Sequence, residues 1–120
     1  MIWRDIKASH VDWEKNPISA RAGINIDYMC SERRAEADRK AGRVTRYGPG
    51  AWADMTLGEL ANAGEEYWSR CYRIGDKAVD VIKWIMDEAA EGRCPMHRRS
   101  GHQAPGAYIP RAERENRRDA

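Results

Sequence analysis

The chain has 120 residues, 42% of them hydrophobic and 33% charged, with 21 basic against 19 acidic side chains for a formal charge of +2. That is enough material for one modest core and not for two, and no window approaches the ~18 consecutive apolar residues of a membrane span. Three cysteines far apart do not make a disulfide framework, and the Met1-Ile2-Trp3-Arg4-Asp5 start lacks the pattern of a secretory signal. A cytoplasmic protein with reduced thiols is expected.

Residues 2–15 mix Ile2, Trp3, Ile6, Val11 and Trp13 with charges, and the spacing predicts a short helix at about 3–9. Asn16-Pro17 then breaks the chain and opens a new helix, because Pro suits a first turn and disfavours helical geometry in the residue before it. From Ile18, the residues Ala22, Ile26, Met29, Cys30, Arg33 and Ala37 recur at steps of three and four, which predicts a second helix at about 18–41. Gly42 supplies its stop. Residues 43–47 are β-prone but have no convincing strand to pair with, so an extended linker is expected. Gly48-Pro49-Gly50 forces a loop that Trp52 anchors to the core.

The strongest pattern lies at 56–91. Leu60, Gly64, Tyr67, Cys71, Ile74, Ala78, Val81 and Ile85 form one seam, with Leu57, Ala61, Trp68, Gly75, Val79, Ile82, Met86 and Ala89 beside it. Thr56 and Glu59 have the spacing of a capping box, and Gly92 and Pro95 mark the end. Gly75 suits a helix C-terminus and Asp76 the cap of a following helix, which would give two helices of about 15–18 residues folded back into a compact bundle. Because the seam keeps register across Gly75-Asp76, the favoured reading is one helix at about 57–91, continuous or merely kinked. The expected fold is therefore mostly α: a small bundle of two long antiparallel helices, about 18–41 and 57–91, with a short N-terminal helix. Residues 1–92 form the helical domain, and 93–120 a basic tail interrupted by Pro and Gly.

Charge follows the same division. Residues 1–91 carry 14 basic and 16 acidic side chains, whereas residues 92–120 carry 7 and 3. In that tail Arg93, Arg98, Arg99, Arg111, Arg114, Arg117 and Arg118 could contact phosphates, although no helix-turn-helix accompanies them. Cys94, His97 and His102 place three zinc-compatible donors within nine residues, with a fourth ligand missing locally, so zinc is the one metal the spacing suggests. His10-Val11-Asp12 offers a base and an orienting carboxylate, but two residues apart their side chains need not face each other. No phosphate loop, nucleophile elbow or paired-carboxylate motif is present, and an enzyme is not expected.

All ten aromatic residues are Trp or Tyr, types enriched at interaction hot spots. Trp84 lies off both seams, Trp68 and Tyr72 flank their edge, and with Trp3 and Trp13 they could form a partner surface. Sixteen of the 21 basic residues are Arg, which suggests a GC-rich bacterial or phage origin. Together these features favour a small non-enzymatic accessory protein that binds a macromolecule, a protein target before others. An inhibitor of a host complex, such as an anti-defence or anti-CRISPR protein, is one sub-case. Two alternatives stand beside it: a nucleic-acid-binding protein using the tail, with zinc assistance, and a structural homodimer.

Overall fold

The computed structural model describes residues 2–97. Two 3-10 turns, Trp3–Asp5 and Ala8–His10, precede four α-helices: α1 (Ala20–Met29), α2 (Glu32–Lys40), α3 (Leu57–Ser69) and α4 (Asp76–Ala90). Among the described residues there is no strand, and extended pairing is limited to two isolated antiparallel bridges, Lys7 with Thr56 and Val11 with Met96. No helix among them is long and apolar enough to cross a membrane.

The protein is mostly helical, as the apolar periodicity implies, but neither expected long helix is a single element. The segment read as 18–41 divides at Cys30, which ends α1; Ser31 then caps α2, its hydroxyl accepting from the Arg34 amide at 3.2 Å. A Ser at the first position of a helix satisfies an amide that has no intrahelical partner, and here that local preference prevails over the apolar repeat. The segment read as 57–91 divides between Ser69 and Asp76. Arg73 there takes a left-handed conformation with φ 59°, and Gly75 is extended as the residue before α4. The register survives because the turn buries Cys71 and Ile74 in the same core that the two helices cover. Gly64 adds an interruption inside α3, at φ 83° and ψ 167°, a region that only glycine enters readily. Across it the Trp68 indole N–H donates to the Leu60 carbonyl at 2.8 Å.

The N-terminal stretch read as one helix at 3–9 is instead the pair of 3-10 turns, because Lys7 and Thr56 pair at the point where a helix would have continued. The Leu57 amide donates to Ile6 O and the Ala8 amide to Met55 O, both at 2.8 Å. Other local expectations match the fold. Thr56 and Glu59 form both halves of the capping box. The helices α2 and α4 each end on a left-handed glycine, Gly42 and Gly92, with the next amide reaching back to Asp38 and Glu88 at 2.8 Å. Trp52 is fully buried and its amide donates to Met29 O at 2.8 Å.

The helix at the centre is α4, packed against both α1 and α3. Its inner face carries Ala78, Val79, Val81, Ile82, Ile85 and Ala89, steps of three and four that put one apolar stripe on the core. Val11, Trp13, Ile26, Met29, Trp52, Leu57, Leu60 and Met96 fill the space around it. Cys94 and Met96, after the end of α4, are also buried in this core. The remainder of the expected tail, from Arg98 onward, lies outside the described residues.

Candidate functional site

A cleft of about 510 Å³ opens between the N-terminal loop, the α1–α2 junction and the segment after α4; its walls include His10, Glu14, Asp27, Glu32 and His97. Two packing devices build it. The Val11–Met96 pairing holds its two segments together, with the Asp12 amide donating to Pro95 O at 2.9 Å and the His97 amide to His10 O at 2.7 Å. Side chains alternate along such a pair, so Val11 and Met96 enter the core while His10, Asp12 and His97 stay only half-buried. Gly23 is the second device. A Cβ there would lie 2.4 Å from the Trp13 carbonyl oxygen and 2.6 Å from Glu14 Cα, and this close approach presses the N-terminal loop onto α1. Asp27, one turn further along the same face of α1, is thereby brought beside Asp12 and Glu14.

His97 Nε2 lies 3.2 Å from Asp27 Oδ1. Asp12, Asp27 and His97 each bring one ligand atom within 4.8 Å of the other two, and all three are half-buried. Partial burial and the adjacent charge of Asp27, with a smaller effect from Asp12, push the Glu14 carboxyl above its ordinary range; His97 pulls the other way. On the other rim, Glu32 accepts from the Ser9 hydroxyl at 3.0 Å and lies 3.9 Å from His10 Nε2. His10 and Asp12, the two ends of the His10-Val11-Asp12 motif, thus face different carboxylates, Glu32 and Asp27.

The residues singled out from spacing are dispersed. Cys94 is buried in the core; its thiol donates to Pro95 O at 3.8 Å, and burial, with Glu88, pushes it up to about 12. It does not join His97 in a ligand cluster, and the carboxylates of Asp12 and Asp27 take that place. Arg93 pairs with Glu88 at 2.6 Å. His102, Arg98, Arg99, Arg111, Arg114, Arg117 and Arg118 lie outside the described residues. Of the aromatics, Trp13 and Trp68 are core residues whose indoles bond Ala8 O and Leu60 O, each at 2.8 Å. Trp3 and Trp84 are half-buried against the core, which leaves Tyr72, 49% exposed, as the one that faces outward.

Tyr72 belongs to a surface that the spacing did not reveal. Its amide donates to Tyr47 O at 2.9 Å, joining the turn before α4 to the linker before Trp52. Tyr47 is exposed and packs on Tyr67 with ring centroids 5.7 Å apart; Tyr67 in turn lies 6.5 Å from the buried Trp52. The Arg73 guanidinium lies 5.2 Å over the Tyr72 ring. Arg46 and Arg70 are exposed on the same two segments, and neither they nor Arg73 has a carboxylate within 4.0 Å among the described residues; the paired arginines are Arg34, Arg39, Arg43 and Arg93. The signal available was the repeated Arg–Tyr adjacency, Arg46-Tyr47 and Tyr72-Arg73.

No protein-family model, curated protein or solved structure matches this chain. Among the described residues, these two places offer distinct capacities. The cleft gathers carboxylates and imidazoles, groups that hold cations or exchange protons. The tyrosine–arginine surface presents rigid aromatic area beside uncompensated positive charge, a combination suited to gripping an acidic partner.

Proposed function

We propose that this is a non-enzymatic binding protein whose target is another protein, engaged through Tyr47, Tyr72, Arg46, Arg70 and Arg73. The observation that carries this reading is the aromatic ladder from buried Trp52 through Tyr67 to exposed Tyr47, flanked by three arginines without carboxylate partners among the described residues. Tyrosine and arginine supply binding energy at low entropic cost when the ring is already held, and guanidinium forks match carboxylates in pairs. The complementary partner therefore presents an acidic segment. Nucleic acid is the weaker fit for the body, since residues 1–91 carry more acidic than basic side chains and would repel an extended phosphate track.

The test is recovery of partners by the tagged full-length chain from cells of its source, followed by affinity measurement on the protein recovered. Tyr72→Ala and Arg46→Glu should each weaken binding by roughly 30-fold, the about 2 kcal/mol typical of a hot-spot side chain, while circular dichroism is unchanged. Recovery of nucleic acid in place of protein, a chain that only pairs with itself, or variants that bind as tightly as the wild type would each overturn the reading.

A further inference from the structure

The cleft has a capacity that the proposed protein contact does not use. Asp12, Asp27 and His97 come from three separate pieces of chain, the N-terminal loop, α1 and the segment after α4, yet their ligand atoms converge within 4.8 Å. First-row divalent ions hold imidazole nitrogen and carboxylate oxygen at about 2.0–2.2 Å, so two ligands of one ion lie roughly 3.0 Å apart at an octahedral angle and roughly 3.4 Å apart at a tetrahedral one. The His97–Asp27 pair, at 3.2 Å, already has that separation. Asp12 brings a carboxylate oxygen within 4.8 Å of both.

Charge and donor type agree with the geometry. The cluster offers one imidazole nitrogen and two carboxylate oxygens, and Glu14 and Glu32 add further carboxylates to the walls of the adjoining cleft. The imidazole makes the set unlike the all-oxygen sites of magnesium and calcium, and the absence of a thiolate makes it unlike a soft-metal site. All three donors are half-buried, and Asp27 and His97 line the open cleft through which an ion would enter.

We infer that Asp12, Asp27 and His97 form a binding site for a divalent first-row transition ion, with water completing its coordination. The site shares no residue with the tyrosine–arginine surface, so each proposal stands or falls without the other. It also differs from the zinc set that spacing suggested, since it keeps His97 and replaces Cys94 and His102 with carboxylates from distant parts of the chain.

The experiment is calorimetric titration of the chelator-stripped full-length protein with zinc chloride, with magnesium chloride as the comparison ion. One equivalent of zinc should bind, more tightly than magnesium. The near-isosteric Asp27→Asn and Asp12→Asn variants and His97→Ala should each weaken zinc binding by more than about tenfold, the lower end of what losing even an outer-shell partner costs. Circular dichroism on each variant establishes that it is folded, and His102→Ala should leave the affinity unchanged. The proposal is overturned by an absence of stoichiometric zinc, by full affinity in folded Asp27→Asn and Asp12→Asn, or by zinc binding lost in His102→Ala but kept in Asp27→Asn.

Discussion

Burial pushes the Cys94 thiol from an ordinary 9.0 up to about 12, with Glu88 adding to the shift, and it moves Cys30 and Cys71 in the same direction. All three are free and buried, and behave as small apolar side chains rather than as nucleophiles. Their protonation is linked to folding. The unfolded chain ionises a thiol near its ordinary value while the folded chain keeps the proton, so this contribution is fully present below about pH 9 and is lost as pH rises through about 12. At pH 10.5 the loss from Cys94 alone should reach about 2 kcal/mol. Urea denaturation at pH 8 and pH 10.5 checks this, and Cys94→Ala should show a smaller decline between the two.

At the scale of elements, the turn between α3 and α4 makes the sharpest demand on the sequence. Arg73 pays for a left-handed conformation that glycine adopts without steric cost. Arg73→Gly should therefore raise stability by about 1 kcal/mol in urea denaturation. Inside an uninterrupted helix the same change would lower stability by about 1 kcal/mol, so the sign of the effect distinguishes the two architectures. Local chemistry made much of these elements legible: the Thr56–Glu59 capping box, the stops at Gly42 and Gly92 and the anchoring of Trp52 are all visible in a few adjacent residues. The break before α4 was signalled by Gly75-Asp76 but outweighed by the apolar repeat, which reports burial and not backbone continuity. Cys71 and Ile74 are buried in a turn and yet fall in step with Tyr67 before them and Ala78 after them. Ser31 offered a capping signal that Cys30, Arg33 and Ala37 masked by continuing the count.

For the molecule as a whole, the candidate site was hidden for a different reason. The Cys94, His97 and His102 spacing shares only His97 with the cluster, which Asp12 and Asp27 join through long-range packing that no local motif encodes. Their meeting depends on Gly23 admitting the N-terminal loop and on the Val11–Met96 bridge, which joins opposite ends of the described chain. Closing so long a loop carries an entropy cost that only a few contacts offset. The bridge should therefore open more often than the central helix, and hydrogen exchange followed by NMR should find the amides of Asp12 and His97 less protected than those of Val81 and Ile82. Equal protection would mean that the bridge opens only when the whole fold does. The cleft thus sits where the chain fastens upon itself, like the clasp of a belt. Whatever occupies it would set how long the two ends of the fold stay closed.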